Sequence, residues 1–312
     1  MIGAILAGGY GKRLKPITDE VPKALVQIRE NYTIMDRQIF DFQNMGVKEI
    51  YILSGYLGDK IEERYGEEKF GIKFHYLREA KPIGTLFSIK NLLSERSDED
   101  VILRNGDTVT DLNFKRFVQF AQESSYWLTM FVVKMKSPFG IVDILGDQVT
   151  EFREKPQLNH FINAGIYYIR KEAFGAFQAD YVDKEIETTV FPVLAKKKLT
   201  GAYSEETFWM GIDSEKDLEQ VRKEYSNRKD FPWGYVKNLY EGNDRSFQEY
   251  FIKAGEQTTI DPGPNSIVRI ISGRGTYTTG EPHKYLYQDV IQLKSNTKFE
   301  PIENSRLEII SM

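Results

Sequence analysis

Apolar positions along the chain follow two alternating spacings. Short apolar runs at 2–7, 49–53, 72–77 and 101–103 read as strands, the first of them bounded by glycine and buried on both sides. Between them Met35, Ile39 and Phe42, then Leu86, Ile89 and Leu93, recur at helical spacing over 35–45 and 84–93. Strands interleaved with helices predict a layered α/β domain around a mixed, mostly parallel sheet. The apolar stripes of the two helices are core packing and carry no chemistry. After Asn227 the rhythm changes: 228–234, with Pro232-Trp233-Gly234, interrupts a helical stretch at 214–225. Strand-like runs follow between Gly, Pro and Asn turns, clearest at 247–254, 266–280 and 284–293. The expected organisation is an α/β domain over 1–226 and a small all-β domain over 227–312.

A length of 312 residues suits two domains, and 41% hydrophobic residues supply ordinary cores. The formal charge of −4 gives no broad basic field, so neither nucleic acid nor an anionic membrane is an expected partner. Cysteine is absent, which removes disulfides and thiolate chemistry. No apolar run reaches membrane-spanning length, and the first seven residues lack the basic start of a signal peptide. The expected location is the cytoplasm.

The densest chemistry follows the first strand, in Leu6-Ala7-Gly8-Gly9-Tyr10-Gly11-Lys12-Arg13-Leu14. Gly8, Gly9 and Gly11 permit positive φ and close backbone approach, so N–H groups can converge on anionic oxygens. Arg13, and Lys23 of Pro22-Lys23-Ala24, add full charges. Ligands of α/β sheets bind beyond the carboxyl ends of strands, and the loop therefore reads as a triphosphate cradle. It is neither G-x-G-x-x-G nor G-x-x-x-x-G-K-[ST], which argues against a dinucleotide fold and a Walker-type NTPase. Taken alone, the glycines serve equally well as a turn. Asn105-Gly106-Asp107-Thr108 places a carboxylate at another strand's end, facing the presumed cradle; a single Asp beside a triphosphate is chemically sufficient for magnesium, and N-G-D is also an ordinary turn. Glu151-Phe152-Arg153-Glu154-Lys155-Pro156 and Asn163-Ala164-Gly165-Ile166-Tyr167 read by themselves as a charged turn and a buried strand. Asp213, before the 214–225 helix, reads by itself as a helix N-cap.

Together these motifs resemble the nucleotidyltransferases that activate sugar 1-phosphates. Residues 6–18 match L-A-G-G-x-G-[ST]-R-L-x-P-L-T, with Lys12 in place of the small hydroxyl residue, and Pro22-Lys23-Ala24 completes the pattern. The resemblance implies a Rossmann-like layered nucleotidyltransferase domain in which Leu6, Ala7, Gly8, Gly9, Gly11 and Arg13 bind nucleotide. It implies that Gly84 and Thr85, in Pro82-Ile83-Gly84-Thr85, face the base, although Leu86 and Phe87 are bulkier than usual there. It assigns Mg2+ to Asp107, sugar hydroxyls to Glu154 and Asn163, and the sugar phosphate to Lys155. Gly140 matches a glycine that lets the sugar approach the backbone. Trp209-Met210-Gly211-Ile212-Asp213-Ser214 departs from W-x-D-I-G-T by exchanging Gly and Asp; related cytidylyltransferases use I-D-[ST]-x-x-D-L, which makes Asp213 the second metal ligand.

Pro232-Trp233-Gly234 and Ile252-Lys253-Ala254-Gly255-Glu256 resemble the cupin module of phosphomannose isomerases and some guanylyltransferases. The paired histidines of such modules are missing at Thr259-Ile260-Asp261-Pro262-Gly263-Pro264, and His75, His160 and His283 are scattered, so a metal-free, non-isomerase domain is expected. The implied activity is transfer of NMP from an NTP to a sugar 1-phosphate, with Arg13, Lys23 and Asp107 as catalytic residues. GTP and a mannose- or heptose-type sugar are the first expectation. The alternatives are a uridylyl-, thymidylyl- or cytidylyltransferase, and a silent regulatory subunit that binds sugar nucleotide. The β domain, with its strand edges, is expected to build a homo-oligomer.

Overall fold

Ile2–Ala7 is a strand with almost every residue buried, as an apolar run flanked on both faces by helices requires. It runs parallel to Glu49–Ser54 on one side and to Val101–Asn105 on the other. The computed structural model describes residues 1–81, 83–242, 245–261, 263, 265–293 and 296–311. Within it the chain divides into two units, Met1–Val26 with Ile34–Asp213, and Gln27–Thr33 with Ser214–Met312.

The first unit is built on an eight-stranded sheet. Its order is Thr200–Tyr203, Leu128–Lys136, Gln157–Ile169, Val101–Asn105, Ile2–Ala7, Glu49–Ser54, Ile72–Arg78 and Glu68–Lys69. Gln157–Ile169 is antiparallel to both of its neighbours, and the strands on either side of Ile2–Ala7 are parallel to it, so the sheet is mixed. Side chains of successive strand residues point to opposite faces, and the core is accordingly double. Ile5, Ile50, Ile52 and Ile102 meet the helices Ile34–Asn44, Gly58–Tyr65 and Phe114–Glu123. Ala4, Leu53, Val101 and Leu103 meet Thr85–Glu95 and Val190–Lys196. The helices expected at 35–45 and 84–93 thus form at Ile34–Asn44 and Thr85–Glu95. Leu86 is fully buried in the second core, which explains its bulk, whereas Phe87 is exposed.

One feature of this core is invisible to hydrophobic patterning. Arg104, on the central Val101–Asn105 strand, and Arg37, on the Ile34–Asn44 helix, share the Asp41 carboxylate at 2.7 Å each. All three side chains are at most 1% exposed. Arg37 also donates to Thr110 O at 2.9 Å, and the Arg104 guanidinium lies 4.8 Å from the Phe114 ring centroid. A buried charge is tolerated only when paired and hydrogen-bonded, and here both cations share Asp41 while buried Asp111 Oδ1 stands 3.5 Å from Arg37 as well.

The second unit is all-β apart from the helix Glu215–Tyr225. A six-stranded sheet contains Arg228–Phe231, Gly234–Glu241, Ser246–Ile252, Ser305–Ser311, Ser266–Ser272 and Val290–Leu293. A four-stranded sheet contains Thr258–Ile260, Thr297–Pro301, Gly275–Thr278 and Pro282–Tyr285. Ile252, Val268, Tyr285, Phe299, Leu307 and Ile309 close a core of their own. The expected strand 266–280 breaks at Gly273, whose φ of 85° leaves no room for a side chain against Ser305. The expected strand 284–293 breaks where Gln288 takes a φ of 74°. The 214–225 helix groups with this unit rather than with 1–213, because Arg222 Nε donates to Gln27 O at 3.1 Å and the Gln27–Arg29 strand packs on it. Of the motif residues, Pro82, Pro262 and Pro264 lie outside the described residues.

Asp41→Ala would leave two buried guanidinium groups without their shared carboxylate, a change of the kind that costs about 3–5 kcal/mol. A fall in the melting temperature of roughly 10 °C is expected by circular dichroism. An unchanged melting temperature would show that Asp41 does not hold this core together.

Candidate active site

The strand Ile2–Ala7 ends in Gly8, and from there the chain turns across the carboxyl edge of the sheet. Gly11 takes a left-handed φ of 60°, and a Cβ at that position would stand 2.8 Å from Thr18 Cγ2. Thr18 Oγ1 donates to Gly11 O at 2.8 Å and closes the loop. The next three residues form the turn Lys12–Leu14, with Leu14 buried as its anchor and Lys12 and Arg13 exposed.

Beside this loop stands the end of Val101–Asn105. Gly106 N donates to Leu6 O at 2.9 Å, and a Cβ on Gly106 would approach that oxygen to 2.5 Å. Two strands can approach this closely only where the residue is glycine. Asp107 follows, its backbone oxygen accepting Ile212 N at 2.9 Å, which draws Asp213 to the same place. Gln38, fully buried, donates through Nε2 to Asn105 O and Thr108 O, 2.9 Å each, and holds both ends of the Asp107 turn.

Three charged side chains then meet. Lys23 Nζ lies 2.7 Å from Asp107 Oδ2 and 2.9 Å from Asp213 Oδ1, and Arg13 reaches Asp213 Oδ1 at 2.9 Å. Lys23 is the deepest, with a side-chain exposure of 15% against 74% for Arg13. These groups line a cavity of about 430 Å³ together with Leu6, Ala7, Gly8, Gly9, Gly11, Gly84 and Thr85. The expected nucleotide residues, the three expected catalytic residues and both expected metal ligands are thus brought together. The N-cap role considered for Asp213 belongs to Ser214, which accepts from Asp217 N while Asp217 accepts from Ser214 N, a capping box. Gly211, where the motif pattern has its Asp, ends the strand Trp209–Gly211 and is not in the cavity wall.

Gly84 takes a φ of 92°, and a Cβ there would come within 2.5 Å of Lys184. Thr85 Oγ1 donates to Glu185 Oε2 at 2.9 Å, which seals this side of the cavity. Two cavity carboxylates, Glu79 and Glu185, have no counterpart among the sequence-derived candidates. Glu79 stands one residue beyond the strand Ile72–Arg78, so the strand-end rule that found Asp107 could have found it too. It accepts from Ser88 Oγ and from Ile83 N. Glu185 carries no such local signal.

The four residues assigned to the sugar are not in the wall of this cavity. A Cβ on Gly140 would stand 2.6 Å from the Phe152 ring and 3.1 Å from Glu154 Oε2, so Gly140 and Glu154 are neighbours at the base of the exposed hairpin Ile141–Leu145 and Gln148–Arg153. Lys155 sits in the following turn with a φ of 45°, 3.4 Å from Glu154. Asn163 uses its amide locally, donating to Tyr167 Oη at 2.7 Å and accepting Gly165 N at 3.1 Å. Burial pushes the Tyr167 phenol above its ordinary pKa, the Asn163 hydrogen bond opposes this, and the Glu187 and Asp107 charges add to it. Tyr167 therefore stays a neutral hydroxyl. The histidines remain apart, His75 on Tyr51 and Glu49, His283 on Tyr277.

Asp107 and Asp213 both place an oxygen within hydrogen-bond reach of one ammonium, so the two carboxylates converge on a single point. Two converging carboxylates are hard oxygen donors of the kind magnesium accepts, since it takes one or two carboxylates and completes its shell with other oxygens and water.

Comparison with known proteins covers mainly this first unit. A family model described as Nucleotidyl transferase matches residues 2–228. A mannose-1-phosphate guanylyltransferase catalytic subunit beta from Danio rerio is 31% identical over 258 residues, covering 77% of this chain and 71% of the relative. Among solved structures, a putative glucose-1-phosphate thymidylyltransferase from Bacillus anthracis superposes with a TM-score of 0.60 at 20% identity, covering 72% of this chain and 94% of that one. HddC from Yersinia pseudotuberculosis superposes with a TM-score of 0.56 at 26% identity, covering 72% and 100%. Among the described residues, no helix is long and apolar enough to cross a membrane.

Asp213→Asn and Ser214→Ala are expected to separate cavity from cap. Loss of the Ser214 cap should cost about 1 kcal/mol in denaturant unfolding, while Asp213→Asn should change stability little, its ion pairs being half-exposed. The reverse ranking would return Asp213 to a capping role.

Proposed function

Because the chain belongs to the nucleotidyl transferase family and is a sugar-1-phosphate nucleotidyltransferase, an enzyme that transfers NMP from an NTP to a sugar 1-phosphate, we propose that its substrates are GTP and a mannose-configured sugar 1-phosphate. The base rests on Glu79, a carboxylate in the cavity wall. A carboxylate only accepts hydrogen bonds, and guanine alone among the common bases offers two adjacent donors, N1–H and the N2 amine. Uracil and thymine present one N–H between two carbonyl oxygens, which a carboxylate repels. The guanylyltransferases among the relatives support both base and sugar.

In the reaction a phosphate oxygen of the sugar 1-phosphate attacks the α-phosphorus in line, the bond to the bridging oxygen breaks, and its electron pair leaves with pyrophosphate. The attacking group is already anionic at neutral pH. No protein nucleophile is required, and the work of the site is positioning and charge compensation. Arg13 and Lys23 offset the charge of the leaving pyrophosphate, and backbone N–H groups of 8–12 meet the phosphate oxygens. Asp107 and Asp213 would hold magnesium, which when bound supplies further neutralisation of the phosphates. Glu154, Lys155, Gly140 and Asn163, on and beside the exposed hairpin, would receive the sugar phosphate. The exchange of Gly211 and Asp213 keeps a carboxylate at Lys23, and this favours an active enzyme over a silent subunit. We also propose a cytoplasmic location and self-association through the β unit, the latter testable by sedimentation of the full chain.

Pyrophosphate release across a panel of NTPs and sugar 1-phosphates tests the proposal. GTP with mannose 1-phosphate should exceed UTP, dTTP and CTP by at least ~10-fold, the worth of one or two discriminating hydrogen bonds. Glu79→Gln should narrow that preference by a similar factor, and equal rates in wild type for all bases would defeat the guanine assignment. Asp107→Asn should fold normally yet lose at least ~100-fold in turnover. Full activity in that variant would remove Asp107 from the mechanism.

A further inference from the structure

Two of the three cations in the cavity wall are already committed to carboxylates, Lys23 to Asp107 and Asp213, and Arg13 to Asp213. Lys12 is the third. Among the described residues it has no carboxylate at ion-pair distance; its Nζ lies 5.6 Å from the Tyr10 ring centroid, and Tyr10 packs against Tyr56 with centroids 5.3 Å apart. The wall carries Glu79, Asp107, Glu185 and Asp213 against these three cations, so it is acidic before any ligand arrives. A triphosphate brings more negative charge, and without Lys12 the imbalance would be larger. A cation resting on an exposed ring exchanges that contact for a phosphate oxygen at a gain, because a charge-assisted hydrogen bond is the stronger interaction.

Position assigns the phosphates. Lys23 is the deep cation, whereas Lys12 and Arg13 are exposed on the turn at the cavity mouth that Gly11 initiates and buried Leu14 anchors. We propose that Lys12 binds the outer phosphates of the nucleoside triphosphate and the pyrophosphate released from it, and so makes the cavity select a triphosphate over a nucleoside monophosphate. The proposal rests on the nucleotidyl-transfer reading and adds a residue to it. When the sugar phosphate oxygen bonds to the α-phosphorus, the electron pair of the broken bond goes to the pyrophosphate, where the Lys12 charge offsets it. The same charge retains the product, so pyrophosphate should inhibit more strongly than it would with a hydroxyl at this position.

Titration calorimetry with inorganic pyrophosphate, GTP and GMP tests this on the full chain, in wild type and in the Lys12→Thr, Lys12→Ala and Lys12→Arg variants. Lys12 is exposed, so the folded state is expected to persist, and melting curves check it. Lys12→Thr and Lys12→Ala should weaken pyrophosphate and GTP by about tenfold or more, the value of one charge-assisted bond, and leave GMP within twofold. Lys12→Arg should restore most of the loss. Equal weakening of GTP and GMP would reduce Lys12 to a structural residue, and unchanged pyrophosphate affinity would overturn the assignment. A wild-type protein that binds neither GTP nor pyrophosphate would instead defeat the nucleotidyl-transfer reading itself.

Discussion

The Lys23 ammonium joins chain segments 84 and 190 residues away by contacting Asp107 and Asp213 at once. Each partner arrives by a different route. Lys23 comes from the loop after the first strand, Asp107 from the end of its parallel neighbour, and Asp213 from a strand, Trp209–Gly211, that pairs with Thr108–Thr110. The place where they meet is set by sheet topology. From Ile2–Ala7 the chain first adds Glu49–Ser54 on one side and later Val101–Asn105 on the other, and a crevice opens at the carboxyl end where successive connections diverge. A cation between two carboxylates also keeps like charges from repelling one another before a ligand is present.

Beneath that crevice the structure is held by groups that hydrophobic burial alone would exclude. Arg37, Asp41 and Arg104 couple the Ile34–Asn44 helix to the central strand, and next to Arg37 on the same helix Gln38 grips the carbonyls on either side of Asp107. A buried amide that spans a turn converts helix–sheet packing into a defined loop position. Gly106 adds a steric limit, since its backbone lies against Leu6 with no space for a side chain. The carboxylate at position 107 is therefore aimed by packing from below and by close strand approach from the side.

The part of the chain around Gly140 and Glu154 is built differently. Gly140 and Glu154 adjoin each other at the base of a two-stranded hairpin whose Ile144, Leu145 and Phe152 are more than 60% exposed. An isolated pair of strands has little stability of its own, in contrast with the Asp107 turn, which Gln38 holds from the core.

Much of the cavity wall was legible in the chain because its signals are local. Three glycines and two cations after an apolar strand, and an Asp just past another strand, carry their chemistry within a few residues, and helix and strand periodicity located both strands. Asp213 could not be resolved that way, since a carboxylate before a helix reads as a cap; only the Ser214 capping box and the Lys23 contact show that Asp213 faces the cavity instead. Glu79 carried the same strand-end signal as Asp107, whereas Glu185, brought to Thr85 from 100 residues away, was silent. So were the breaks at Gly273 and Gln288, where backbone φ rather than side-chain hydrophobicity ends a strand. Periodicity and turn chemistry are properties of neighbouring residues, and the sequence determines them directly. Which carboxylates share a cation depends on loop closure across the whole sheet, and that was decided only by the tertiary fold.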